Sequence, residues 1–158
     1  MVYLDESGFD THTKYSYGWS LVGKKVLDNR FGSKGARVNI IAALNASGNI
    51  FAPFTFEGSC DKNVFNIYIS KVLIPSLKEG STVILDNASF HKASDIKKLL
   101  QNKKCNVLYL PPYSPDLNPI EKSWFPIKNN LRKKFREAIK DPLGTVTEVV
   151  KSVIDISR

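Results

Sequence analysis

Apolar residues in the first third of the chain fall into short runs that predict β-strands. The runs cover residues 1–4, 15–22, 37–45 and 50–56. Turn-forming residues separate them, as in the segment Asn45-Ala46-Ser47-Gly48. We expect these early strands to pair antiparallel.

From Asp61 onward the pattern predicts helices that alternate with strands. Apolar residues recur at helical spacing from Val64 to Leu73, with Asp61 placed as the N-cap. Residues 82–85 are apolar on both faces, which is typical of a central buried strand, and this run ends at Asp86. A lysine-rich helix over 94–103 and a strand over 106–110 follow. The alternating order predicts parallel neighbours joined by crossovers.

The apolar pattern in the last third of the chain predicts two further helices. One apolar stripe has the spacing of the longest helix; its members are Ile120, Trp124, Ile127, Leu131, Phe135 and Ala138. Its start, Asn118-Pro119-Ile120-Glu121, has the residues of a helix cap. A final helix begins near residue 143. The pattern therefore predicts one α/β domain over residues 1–158, with a mixed sheet whose first strands are antiparallel and later strands parallel, flanked by helices.

Composition is that of an ordinary globular domain. The chain has 158 residues, of which 42% are hydrophobic and 24% charged. No stretch approaches the roughly 20 apolar residues of a spanning helix, and the first residues lack the regions of a signal peptide. We therefore expect no membrane partner and a cytoplasmic location. Cys60 and Cys105 lie far apart in the sequence and outside any zinc-site spacing, so we expect them to be reduced and packed.

The charge balance points to a polyanionic partner. Lysine and arginine number 23 against 15 acidic residues, which gives a formal net charge of +8. Such an excess is typical of nucleic-acid binding, and an acidic lipid surface is the alternative.

Three carboxylates are the candidate chemical groups. Asp5 and Asp86 each follow an apolar strand, and ligands of open α/β sheets gather at those strand ends. Taken singly, such aspartates cap turns, and Glu121 begins a helix. If the three converge, their repulsion favours a hard divalent cation, Mg²⁺ or Mn²⁺, as in a two-metal phosphoryl-transfer site.

Three sequence blocks resemble the catalytic blocks of mariner-type insertion-sequence transposases. They are LDES at residues 4–7, VILDNASFH at 83–91 and LPPYSPDLNPIEKSW at 110–124. Their order matches that family, as does the spacing from Asp86 to Glu121. The resemblance implies a ribonuclease-H-like fold and a DDE transposase that hydrolyses and joins phosphodiester bonds at transposon ends. It also implies Mg²⁺, for which Mn²⁺ can substitute, with Asp5 bridging two ions, Asp86 binding one and Glu121 the other.

The resemblance further implies double-stranded DNA and a second copy of the chain as partners, in a bacterial cytoplasm at the nucleoid. Residues expected to contact DNA are Lys128, Arg132, Lys133, Arg136 and His91. A basic run is also typical of a solvated helix face, and a loop histidine often bonds its own turn. Transposases of this type carry helix-turn-helix modules before the catalytic domain, and we expect them to be absent here. The alternative function is a catalytically silent DNA-binding or dimerisation fragment of a decayed transposase.

Overall fold

A five-stranded mixed sheet forms the centre of the molecule. The computed structural model describes residues 1–10, 19–25, 37–88, 94–134, 138 and 140–156. The strands are β1 (Val2–Asp10), β2 (Arg37–Asn45), β3 (Ile50–Glu57), β4 (Thr82–Leu85) and β5 (Asn106–Tyr109), in the order β3-β2-β1-β4-β5. β1 and β3 pair antiparallel with β2, whereas β4 is parallel to β1 and β5. The predicted mixed sheet is confirmed.

Strand β1 is longer than the sequence pattern indicated. We expected it to end at Asp5, but it continues to Asp10 because it pairs with β2 over its whole length. Cross-strand pairing here outweighs the weak strand propensity of Gly8 and Asp10. Of the strand predicted over 15–22, residues 15–18 lie outside the described part of the chain. The remainder is not a strand, and Trp19 is fully exposed.

Helices cover both faces of the sheet. They are α1 (Lys62–Ile67), α2 (Ile74–Ser76), α3 (Ser94–Asn102), α4 (Trp124–Lys133) and α5 (Pro142–Ile156), with a π-helical turn, Tyr68–Leu73, between α1 and α2. Asp61 is the predicted N-cap, since its Oδ1 accepts the backbone N–H groups of Asn63 at 2.9 Å and Val64 at 2.8 Å. None of the described helices combines the length and apolar character needed to cross a membrane.

The helix predicted to be the longest is broken into shorter pieces. Pro115–Leu117 and Pro119–Ser123 are 3-10 turns, and α-helical geometry begins only at Trp124. Pro126 is therefore the third residue of α4, within the first turn, where a backbone N–H has no helical partner to lose. Among the described helices α5 is the longest. The apolar stripe itself is confirmed as buried, apart from Phe135, which lies outside the described residues.

Two apolar layers hold the sheet between the helices. The first layer packs β1, β2 and β4 against α1, the π-helical turn and α3, and includes Phe65, Tyr68 and Ile69. The second layer packs the opposite face against α4 and α5, and includes Ile120 and Trp124. Both cysteines are free, with Cys105 buried in the first layer and Cys60 packed beside it, as expected.

Candidate metal centre

Asp5 and Asp86 lie at the same edge of the sheet. The parallel pairing of β1 with β4 matches Val2 to Val83 and Tyr3 to Ile84, and the same offset places Asp5 opposite Asp86. β4 ends at the residue before Asp86. The Oδ1 atom of Asp86 accepts the backbone N–H of Ala88 at 3.0 Å, so this aspartate also closes the turn that follows the strand.

The Asp5 carboxylate is half-buried and lies near two other negative charges. Its Oδ2 atom accepts a hydrogen bond from the indole Nε1 of Trp124 at 2.7 Å. The pKa of Asp5 is raised from 3.8 to about 6, chiefly by burial, with smaller contributions from the negative charges of Glu121 and Asp86. Hydrogen bonds from Trp124 and from the backbone of Glu6 oppose this rise in pKa. Asp5 therefore lies within electrostatic reach of both other carboxylates.

Glu121 reaches the site from the 3-10 turn Pro119–Ser123, and its side chain is exposed. The capping box predicted at this point is wrong. Asn118 occupies the N-cap position, but its side chain makes no capping hydrogen bond. Its Nδ2 atom donates instead to the backbone carbonyl oxygen of Leu4 at 3.0 Å, because β1 offers a tertiary partner that a local motif does not reveal.

The three carboxylates line one cleft of about 400 Å³. Its other walls are Asn87, Ala88, Asn118 and the segment from Leu110 to Pro115. Tyr113 lies in this segment with its side chain fully exposed and its backbone in the left-handed region, at φ 55°. The structure therefore brings together all three carboxylates that the sequence selected.

The donor groups of the cleft suit a hard divalent cation. Within the described ranges, no three His, Cys, Asp or Glu side chains stand close enough to ligate one ion together. The resemblance requires only pairs, Asp5 with Asp86 and Asp5 with Glu121. Carboxylate oxygens are the ligands that Mg²⁺ prefers, with water and substrate phosphate completing its shell. A cation would also relieve the repulsion that helps to raise the pKa of Asp5.

Of the other candidate residues, those on described parts of the chain do not line the cleft. Lys128, Arg132 and Lys133 are exposed on α4, and the Lys128 Nζ atom lies 6.0 Å from the centre of the Phe9 ring. Arg136 and His91 lie outside the described residues. Glu6 is adjacent to Asp5 but lines a different cavity together with Cys60, because successive side chains of a strand point to opposite faces.

Two site residues were missed from the sequence. Trp124 was correctly predicted to be buried, at 2% exposure, but the apolar pattern carries no information about the direction of its N–H. Asn118 was interpreted as a helix cap. Both residues lie three positions from Glu121, within the block 110–124 that carries the resemblance, and this is the sequence signal that could have marked them.

A mixed sheet of this strand order, with acidic side chains where β1 and β4 lie parallel, is that of a ribonuclease-H-like fold. A family profile described as DDE superfamily endonuclease matches residues 1–141, and the chain belongs to this family. The chain is also 36% identical, over 63 residues, to the transposable element Tc3 transposase of Caenorhabditis elegans. That match covers 40% of this chain and 19% of the Tc3 protein.

Solved structures share the fold. The Mos1 transposase paired-end complex with left transposon end has a TM-score of 0.64 and 15% identity, covering 98% of this chain and 52% of that one. A simian T-cell lymphotropic virus intasome has a TM-score of 0.61 and 12% identity, covering 94% and 45%. The chain thus spans about half the length of these structures. The ribonuclease-H-like fold and the resemblance to mariner-type DDE transposases are confirmed.

Proposed function

We propose that this domain catalyses divalent-metal-dependent hydrolysis of DNA phosphodiester bonds and joins the freed 3′-hydroxyl end to target DNA. The observation that carries this proposal is the parallel register of β1 and β4, which sets Asp5 opposite Asp86 in a cleft that Glu121 also lines. Residues 1–158 then form the DDE catalytic domain, and Asp5, Asp86 and Glu121 are its catalytic and metal-binding residues.

The chain supplies the oxygen ligands. Asp5, Asp86 and Glu121 would hold the divalent cations, with Asp5 acting together with each of the other two. Bound Mg²⁺ or Mn²⁺ would lower the pKa of an attacking water or 3′-hydroxyl and neutralise charge on the leaving oxygen. Because only the nucleophile differs between strand cleavage and strand joining, the same carboxylates serve both reactions.

Helix α4 is the proposed DNA contact. Lys128 and Arg132 are four residues apart and therefore share one face of the helix, and Lys133 adjoins it. All three are exposed, whereas the neighbouring Lys134 is engaged by Glu148 at 2.6 Å. The Mos1 structure is a paired-end complex with left transposon end, and we propose double-stranded DNA and a second copy of this chain as the partners here.

A plasmid-nicking assay tests the catalytic proposal. The wild-type chain should nick supercoiled plasmid only when Mg²⁺ or Mn²⁺ is present. Asp86→Asn should lower the rate by roughly a hundredfold or more, because the cation supplies several kcal/mol of transition-state stabilisation. Asp116→Asn is the matched control, since Asp116 is an exposed aspartate of the preceding 3-10 turn and does not line the cleft.

The same plasmid serves to test the DNA contact. Replacing Lys128, Arg132 and Lys133 by alanine should weaken DNA binding. The slope of log K against log salt concentration should become less steep by up to about 0.9 for each lost phosphate contact.

Metal-dependent nicking that survives Asp86→Asn would refute the catalytic proposal. DNA binding by a wild-type chain that never nicks would instead favour the catalytically silent fragment.

A further inference from the structure

The segment from Asn118 to Trp124 contacts β1 at two consecutive residues. Asn118 Nδ2 donates to the carbonyl oxygen of Leu4 at 3.0 Å, and Trp124 Nε1 donates to Oδ2 of Asp5 at 2.7 Å. Glu121 lies midway between these two anchors in the sequence. The turn that carries Glu121 is therefore attached to β1 at both of its ends, once through the backbone before Asp5 and once through the Asp5 carboxylate itself.

The Asn118 side chain is buried, at 4% exposure, and lines the cleft. Among the described residues its Oδ1 atom has no hydrogen-bond partner. A buried carbonyl oxygen without a hydrogen-bond partner lowers the free energy of unfolding by about 1–3 kcal/mol. Stability alone therefore does not explain the position of this side chain. An asparagine that served as a helix cap would bond the N–H groups of its own turn, and Asn118 does not. Its amide instead joins the turn to β1.

Trp124 is also buried, at 2% exposure, in the second layer beside Ile120 and Ile127. Packing there requires an aromatic ring but not an N–H group. The indole Nε1 is a donor only and cannot ligate a cation. By engaging Oδ2 of Asp5, it restrains the orientation of that carboxylate.

We propose that Asn118 and Trp124 are positioning residues, which lock the turn carrying Glu121 onto β1 and thereby set the separation of the Glu121 and Asp5 carboxylates for a divalent cation. This inference rests on the proposed function, because it takes these carboxylates as cation ligands. Hydrogen bonds that orient metal ligands typically account for roughly 10- to 100-fold in metal affinity.

The first test is Trp124→Phe, which keeps an aromatic ring in the second layer and removes the N–H donor. Mn²⁺ binding, measured by calorimetry on the folded chain, should weaken by about tenfold or more. Trp19→Phe is the matched control, because Trp19 is fully exposed and its replacement should leave Mn²⁺ affinity unchanged. The free energy of unfolding, measured without metal for both variants, separates a loss of stability from a loss of affinity.

The second test is a double-mutant cycle, which distinguishes positioning from a general structural role. The chain has two tryptophans, so in a Trp19→Phe background the emission of Trp124 alone reports Mn²⁺ bound near Asp5. Glu121→Gln should weaken Mn²⁺ binding strongly when Asn118 is present. It should have a clearly smaller effect after Asn118→Ala, because Glu121 is then no longer held in place.

The outcomes separate this inference from the proposed function. A wild-type chain that fails to bind Mn²⁺ overturns the metal site itself. A wild-type chain that binds Mn²⁺, with unchanged affinity after Trp124→Phe and additive effects in the Asn118 and Glu121 cycle, overturns the positioning role and leaves the metal site standing. If Trp124→Phe does not fold, the cycle alone decides.

Discussion

The two apolar layers differ in whether the polar atom of a buried aromatic side chain has a hydrogen-bond partner. In the first layer Tyr68 is fully buried, and its hydroxyl has no hydrogen-bond partner in the described part of the chain. Burial raises the pKa of this phenol far above its usual range. In the second layer Trp124 is also buried, but its N–H donates to the Asp5 carboxylate.

This difference shows where packing and chemistry are coupled. The first layer tolerates an unsatisfied hydroxyl as a modest cost in stability. The second layer supplies the hydrogen bond that orients Asp5 and the turn that carries Glu121. A change in the packing of the second layer should therefore reach the site, whereas a comparable change in the first layer should not.

The largest expected effects come from a matched pair of core truncations. Ile69 in the first layer and Ile120 in the second are both completely buried. Replacing either by alanine should lower the free energy of unfolding by about 2–5 kcal/mol, measured by chemical denaturation. Only Ile120→Ala should also weaken Mn²⁺ binding by the folded chain, because Ile120 is next to Glu121. Equal losses of Mn²⁺ affinity in the two variants would remove the distinction between the layers.

Much of this arrangement could be predicted from the sequence, because it depends on periodicity. The apolar run of β2 gave its bounds, and the β-branched run of β4 located Asp86 directly after a buried strand. Once β1 and β4 are parallel neighbours, their register brings Asp5 and Asp86 together without further information. The buried stripe of the last third likewise followed from its spacing.

What could not be predicted depends on tertiary partners. The residues after Asp5 have weak strand propensity, and only pairing with β2 extends β1 to Asp10. Asn118 satisfies the local pattern of a cap, yet its amide bonds a carbonyl on a strand more than a hundred positions earlier. Hydrophobic patterning predicts that Trp124 is buried but not where its N–H points. Local motifs are therefore least informative at the site, where distant segments meet.

An intermediate effect is expected from Asp5→Asn, which sharpens the account of the second layer. In the wild-type chain without metal, the pKa of Asp5 is raised to about 6 in the folded state. The folded state is therefore less stable when Asp5 is ionised than when it is protonated. The stability that depends on its protonation is complete below pH 3.8 and is lost as the pH rises through 6. Asparagine should therefore raise the free energy of unfolding at pH 8 by about 1–3 kcal/mol, since solvent in the cleft screens part of the cost.

The gain from Asp5→Asn should shrink between pH 7 and pH 4 and vanish below pH 4, as followed by denaturation in a chelator. Saturating Mn²⁺ should reverse the order, because binding stabilises only the wild-type chain. Asp116→Asn provides the control, and it should show no such pH-dependent gain. If the metal-free Asp5→Asn chain is less stable than the wild type at pH 8, the ionised Asp5 carboxylate stabilises the fold. That result would contradict the raised pKa that burial gives Asp5.

The smallest expected effect is that of Tyr68→Phe, which tests the first layer directly. The substitution removes one buried hydroxyl and keeps the ring contacts that Tyr68 makes with Phe54 and Phe65. Because the hydroxyl is desolvated without a compensating bond, its removal should raise the free energy of unfolding by up to about 1 kcal/mol and leave Mn²⁺ affinity unchanged. A loss of more than about 1 kcal/mol would indicate that the hydroxyl is satisfied in solution. A change in Mn²⁺ affinity would show that the first layer also supports the site, and the contrast with Trp124 would then be one of degree.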